Sequence, residues 1–453
     1  MTAAGSPSAH LALADKADAV CRMGALMLSA GTGSFRVKAA MGRVAVALGV
    51  DRLDAQVSLN EIIVTTRHGD ETVTQVVEVP VPTVNAARIA ALLRISLRAR
   101  PGLSTRDLQR QLDRIELRRP PYPRWAIVVG AALASLAFAF LNNGHLQECI
   151  AAGLGAACGK TVQLLLRRAR LNHLAIVTVA AFVAAAVFVV TGWAIHAILP
   201  STSQTVHDAA FTSAILFLVP GFPLLTAALD LTRFDFTAGT ARLWYAGLVI
   251  FAAGIGAWLV AWLFGLTPTP LAPLDLPPAV LLGLRLLASF AGVYGFALTF
   301  DTPWRIALMT SAIGMLANTG RLLLIDAGGH PLICATAATM AVGLMAGWAS
   351  QRFAVPRIIM SVPAVLIMVP GAAAYRALVG LVNGDVIAAL TNATAVLSLV
   401  MALAAGLALA RMLTDPAWTR PMPTWTKMPL TRAQRRLRPY ARTTGTRAQP
   451  PTG

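Results

Sequence analysis

Beyond residue 124 the apolar positions of this chain gather into long runs, whereas before it they alternate with charge. Runs approaching or exceeding the roughly 20 residues that a spanning helix needs lie near 125–141, 147–166, 174–199, 209–229, 242–265, 279–300, 304–322, 331–350, 357–381 and 386–410. The pattern predicts a multi-pass α-helical membrane protein with ten transmembrane helices, the first of them the shortest. Upstream, the periodicities predict helices at 11–30 and 34–49, strands at 55–66 and 72–79, and helices at 83–99 and 104–117. The expected organisation is a small α+β region at 1–120, five-helix units at 121–265 and 266–411, and a basic tail at 412–453.

Two of the runs are interrupted. LFLVPGFPLL at 216–225 places Pro220, Gly221 and Pro223 in the middle of the fourth, and LIMVPGAAAYR at 366–376 places Pro370 and Gly371 in the ninth. Val219-Pro220-Gly221 meets Val369-Pro370-Gly371 when the first five runs are moved forward by 150 positions. Five spans per unit is an odd number, so the second unit enters the membrane from the opposite side, giving an inverted repeat. Matched interrupted helices of that kind point to a binding site near the midplane. Each second half-helix starts with amides suited to a carboxylate, those of Gly221 and Phe222 in one unit and Gly371, Ala372 and Ala373 in the other. Carbonyls released before each break suit an ammonium group, so the pair fits a zwitterionic amino acid.

Composition and charge agree with this picture. Hydrophobic residues make up 56%, charged residues 13%, and mean hydropathy is +0.65; the charged share is about half that of a soluble chain. The formal charge of +18 would suggest nucleic-acid binding in a soluble protein, but its distribution argues otherwise. Seventeen Lys and Arg lie between Lys16 and Arg124, more lie in the tail, and the loops at 142–146, 200–208, 267–278 and 382–385 have none. The positive-inside rule then places both termini on the cytoplasmic side of the membrane. No signal peptide is expected at the start, and TRAQRRLRPYAR at 431–442 is either a solvated tail or a contact for anionic membrane lipids. Cys21, Cys149, Cys158 and Cys334 are scattered and suggest neither a metal site nor a disulfide frame. No cofactor motif is present: GTGS at 31–34 lacks a following GK[ST], so Gly31 is read as closing one helix and Ser34 as capping the next. RHGDE at 67–71 reads as a hairpin turn rather than an acid/base cluster.

Ionisable groups within spans are costly in lipid and should face partners or a cavity. Lys160, Arg285, Arg321 and Arg376 are the candidates for ion coupling or charge pairing. Lys160 either faces a partner or snorkels toward the edge, and Gly155 and Gly159 beside it allow close helix approach. Asp230 could pair with Arg233, take up protons, or mark a helix end. His145, Glu148, His196, His207 and Asp208 are expected to gather at the outer face, and Asn318 either recognises a substrate hydroxyl or ties two helices together.

The stretches ALMLSAGTGSFRVKAAMGRVAVALGV (25–50), VPTVNAARIAALLRI (81–95), FLVPGFPLLTAALDLTRFDFTAGTARL (217–243) and MVPGAAAYRALVGLV (368–382) together resemble the fused bacterial threonine/serine exporters. The resemblance implies a secondary transporter, not an enzyme, that exports L-threonine and L-serine using the proton-motive force, with protons and a small amino acid as partners. Two further implications stay open: small dicarboxylates such as succinate, which split-subunit relatives handle, and a hydrolase-type role for the N-terminal region. Sequence leaves self-association into a homo-oligomer undecided.

Overall fold

The structure, a computed structural model, describes residues 7–80, 83–169, 171–200, 206–266, 269, 274–353, 355–415 and 418. The expected basic tail apart from 412–415 and 418, including 431–442, lies outside the described residues, as do 201–205, 267–268 and 270–273 of the loops. In the N-terminal region α1 (Pro7–Ser29) and α2 (Ser34–Ala47) precede strands β1 (Arg52–Val57), β2 (Glu61–His68) and β3 (Glu71–Glu78), then α3 (Ala86–Arg98) and α4 (Thr105–Glu116). The strands form an antiparallel meander in the order β1-β2-β3. The single strand expected over 55–66 is therefore two. A tight turn, closed by the Ser58 N–H donating to the Glu61 carbonyl, divides it without any glycine to announce it. Alternate β2 residues Ile62, Val64 and Thr66 face inward, and α1 packs over β2 and β3. Met23, Met27, Met41, Ile62, Ile89 and Leu108 fill the space between.

Twelve helices follow: α5 (Arg124–Leu141), α6 (Leu146–Leu166), α7 (His173–Ile198), α8 (Asp208–Ser213), α9 (Gly221–Leu231), α10 (Phe236–Leu263), α11 (Pro278–Thr299), α12 (Trp304–Asp326), α13 (Pro331–Phe353), α14 (Arg357–Leu366), α15 (Gly371–Val382) and α16 (Val386–Thr414). Proline stands at the first helical position or just before it in α5, α11, α12, α13 and α14, where its missing N–H costs nothing. Among the described residues, eight of these helices are long and apolar enough to span a membrane, or nine when α14 and α15, bent by 59°, count as one. The fourth run is fragmented instead into the six-residue α8, a 3-10 turn at Leu216–Leu218 and the eleven-residue α9.

The two sets of helices repeat the same neighbours. Helix α5 packs on α6 as α11 does on α12; α7 packs on α10 as α13 does on α16; α9 lies along α10 as α15 lies along α16. The broken elements cross between the sets, α8 meeting α15 and α9 meeting α14. Small residues permit these approaches. A Cβ on Gly159 would stand 2.7 Å from both the Ala180 carbonyl and the Ala184 Cβ, so α6 and α7 touch backbone to backbone as the Gly155-Gly159 spacing predicts. Even a cross-helix bond recurs, the Thr178 hydroxyl donating to the Ala252 carbonyl at 3.1 Å and the Thr336 hydroxyl to the Ala402 carbonyl at 3.3 Å.

Candidate functional site

Both Val-Pro-Gly segments fold into the same turn. Pro220 has φ −80° and ψ 57°, and Pro370 has φ −81° and ψ 70°. The Gly221 N–H donates to the Val219 carbonyl at 2.8 Å, and the Gly371 N–H to the Val369 carbonyl at 2.9 Å. These are inverse γ-turns. The glycine amides, expected to be available to a carboxylate, are thus already bonded within three residues. Phe222, Ala372 and Ala373 remain as first-turn amides with no helical acceptor four residues back.

The turns also pack on each other reciprocally. A methyl built on Gly221 would overlap the side chain of Leu366, the last residue of α14, whereas one on Gly371 would stand 3.8 Å from Leu216, in the turn before α9. Leu216 and Leu366 are themselves 150 positions apart. The Phe222 ring is buried away from the second break, edge-on to Phe300 at 5.8 Å and against Gly31. Beside the breaks lies a cavity of about 320 Å³, mostly apolar, whose lining includes Thr212, Val219, Gly371 and Tyr375.

Charged side chains surround these elements at three levels. Near the start of α8, the Asp208 carboxylate pairs with Arg376 of α15, leaving Asp208 Oδ1 and the neighbouring Tyr375 hydroxyl buried with no hydrogen-bond partner. Glu148 accepts from the His145 amide at 3.0 Å and lies 2.7 Å from His207 Nδ1, so part of the expected His/carboxylate cluster does assemble. Alongside the first break, Lys160 donates to Gln163 at 2.8 Å and lies 5.7 Å from the Phe217 ring centroid.

At the third level the N-terminal region meets the helices. Asp230, at the end of α9, accepts from Arg242 Nη1 at 2.6 Å and from the Ser34 amide at 3.4 Å. Arg242 Nη2 donates to the Thr32 carbonyl at 2.9 Å. The partner of Asp230 is therefore Arg242, not Arg233, whose guanidinium lies 3.8 Å from the Phe35 ring centroid. The N-cap of α2 is Gly33, not Ser34; the Ser34 hydroxyl donates to Asp235 at 2.6 Å, next to Lys38 at 2.7 Å. Burial disfavours the Asp235 charge, but bonds from Lys38 and Ser34 outweigh it and hold the carboxyl below its usual range. Gly31, with φ 93°, makes the turn that presents this loop. A second seam joins Asn85 to Asp301 at 3.0 Å, the Ala86 amide to the Phe300 carbonyl at 2.8 Å, and Tyr122 to the Thr302 carbonyl at 2.8 Å. Burial pushes the Asp301 carboxyl up to about 6, against the pull of Arg88 and Lys160.

The other expected residues lie apart from the breaks' own contacts. Asn318 donates to Ser289 at 3.0 Å and accepts from Arg321 Nε at 3.1 Å, which ties α12 to α11. Arg285 pairs with Asp326 a turn or more farther along, toward the end of the same two helices away from their connecting loop. Sequence reasoning missed Arg242, Asp235 and Asp301. A signal existed for the first two, since LDLTRFDFTAGTAR concentrates four charges between two apolar runs.

Residues 18–264 match the family described as "Putative threonine/serine exporter", and residues 285–413 match that described as "Threonine/Serine exporter, ThrE". A "Probable threonine/serine exporter" of Mycobacterium tuberculosis is 26% identical over 88% of this chain and 76% of its own length. The "Threonine/serine exporter" of Corynebacterium glutamicum is 23% identical over 92% of this chain and 87% of its own length. A "Probable succinate transporter subunit YjjP" of Klebsiella aerogenes is 28% identical over 53% of this chain and 90% of its own length. No solved structure matches the chain. With membrane-length helices, two broken segments crossing between helix sets and a family match over more than half its length, the chain belongs to the threonine/serine exporter family, which comprises transporters rather than enzymes.

Proposed function

We propose that this protein is a secondary exporter of L-threonine and L-serine across the bacterial inner membrane, driven by the proton-motive force. The observation that carries the reading is the reciprocal packing of the two γ-turn breaks, Gly221 on Leu366 and Gly371 on Leu216. The recurring helix neighbours support an inverted repeat of ten crossings, with α8–α9 and α14–α15 each counted as one broken span and both termini cytoplasmic. In that arrangement non-helical backbone at membrane depth is sheltered by protein, as hydrocarbon requires. The cargo would lie between residues 219–222 and 369–372, taking its carboxylate to the amides of Phe222 or Ala372. Lys160 beside the first break, and Arg376 with Asp208 beside the second, are placed to compensate charge as the site opens. Asn318 and Arg321 brace α11 against α12, while Arg285 with Asp326 anchors their far ends.

A second reading, export of small dicarboxylates such as succinate, is favoured by the likeness of the first half to a relative of that printed name. Uptake of labelled threonine, serine and succinate into inverted vesicles, with and without a proton gradient, separates the two. Gradient-dependent threonine or serine accumulation supports the first reading, and succinate accumulation alone supports the second. No accumulation of any of them defeats both.

A further inference from the structure

A second, smaller cavity of about 20 Å³ lies where the N-terminal region meets the ends of the helices, lined by the N-cap Gly33 and Arg36 of α2, Thr226 and Asp230 of α9, and Arg411 of α16. Its charge is unbalanced. Among the described residues, Arg36, Arg233, Arg357 and Arg411 gather there around Asp230 and Asp415, with Arg242 and the Lys38–Asp235 pair close by. Asp230 is engaged by Arg242 and the Ser34 amide, and Arg357 donates to the Thr414 hydroxyl at 2.7 Å. Arg411 is 6% exposed and lies 5.0 Å from the Trp418 ring centroid, yet its Nη2 has no hydrogen-bond partner. Arg36 Nη1 is likewise buried and unpartnered. Burial pulls the Arg36 guanidinium down to about 10, so it is still cationic at neutral pH.

Buried like charges with idle donors are expensive unless an anion joins them. Guanidinium groups offer planar forks that match carboxylate and phosphate oxygens. A space of this size holds about one water-sized group, so a single anion oxygen would enter it between the guanidinium forks, and a nucleotide base or a sugar is excluded. From these groups we infer that Arg36 and Arg411 form an oxyanion site, for a single phosphate or carboxylate head, at the seam between the N-terminal region and the membrane helices. The oxyanion could be a free solute or a lipid phosphate. The site is separate from the paired breaks and stands whether or not the export reading does. Once occupied, it clamps α2 to the ends of α9 and α16.

The test is thermal unfolding of the purified full chain in dodecyl maltoside micelles, which hold no phosphate, titrated with inorganic phosphate and with succinate against potassium chloride at matched ionic strength. Parallel samples are titrated with phosphatidylglycerol. Phosphate or succinate should raise the melting temperature saturably, with Arg411→Gln and Arg36→Gln each weakening the apparent affinity about tenfold or more, as loss of one charged hydrogen-bond donor implies. The anion-free melting temperature of Arg411→Gln should not fall, because that substitution relieves repulsion. A saturable response to phosphate or succinate assigns the anion to a free solute, and a saturable response to phosphatidylglycerol alone, weakened in both variants, assigns it to lipid. The wild-type titration stands even where a variant does not fold. No saturable response to any probe, or responses that both variants leave unchanged, overturns the inference.

Discussion

The two broken segments share the same three residues and the same γ-turn, yet their surroundings differ. At the first, Gly221 has no room for a Cβ, Phe222 is pinned under Gly31 and Phe300, and the segment ends in a buried pair, Asp230 with Arg242. At the second, Gly371 has only ordinary contacts, a cavity of about 320 Å³ lies alongside, and the Arg376 side chain is 42% exposed. The local sequence sets the turn, and its neighbours decide whether the turn is sealed. The N-terminal region contributes to that seal through Gly31 against Phe222 and through Thr32 and Ser34 on the Asp230–Arg242 pair, so a region without spanning helices helps to cover the first break.

The largest difference should appear at the two ion pairs. Asp230→Ala strands Arg242, whose side chain is 3% exposed, and should cost roughly 3–5 kcal/mol. It should also release the N-terminal region to protease. Asp208→Ala leaves Arg376 able to reach water and should cost about 1 kcal/mol or less. Equal losses in thermal unfolding of the two variants would erase the proposed asymmetry.

Next come the glycines. Gly221→Ala must displace Leu366, itself 4% exposed and packed, so a penalty of roughly 1–3 kcal/mol is expected, together with a loss of transport. Gly371→Ala meets nothing closer than 3.8 Å and should be nearly neutral in both assays. The contrast reverses if the second break proves the less tolerant.

The seam itself should respond to pH with a sign set by Asp301. Its folded-state value is raised from 3.8 to about 6, so its contribution is fully present below the lower figure and is lost as pH rises through the higher one. Asp301→Asn removes that loss. The variant should therefore gain on wild type in melting temperature as pH climbs from 3.8 to about 6 and hold that lead above it, and a gap that stays constant across that window would refute the assignment. Asp235 has the opposite sign: its contribution is present above the ordinary carboxylate value and lost only in stronger acid.

The smallest effect tests the likeness between the halves. Thr178→Val and Thr336→Val each remove one cross-helix bond, typically worth about 0.6 kcal/mol within membranes. They should match each other. A large cost in one half alone would show that the recurring neighbours conceal different energetics.

What sequence could show follows from the range of each interaction. Proline and glycine act within a few residues, so Pro220-Gly221 and Pro370-Gly371 disclosed both breaks, and apolar runs placed nearly every helix. The γ-turn was hidden, because whether Gly221 donates to Val219 depends on the ψ of Pro220 rather than on residue type. The β1–β2 turn lacked the usual glycine. Contacts such as Ser34 with Asp230, separated by 196 positions, leave no mark on either neighbourhood; GTGS looked like an ordinary interhelix turn, yet it cradles a carboxylate from the membrane helices. Fusion of charged docking groups into the LDLTRFDFTAGTAR stretch was legible only as a charge count, not as a set of partners.

The γ-turns have a mechanical implication. Each elbow fastens its own hydrogen bond across three residues, so the backbone at 219–221 or 369–371 can bend without giving up a bond to a distant strand or helix. Resistance to bending then resides in the leucine that each glycine rests upon, and a conveyor of small polar cargo could reset by shifting two side chains rather than by unravelling a helix.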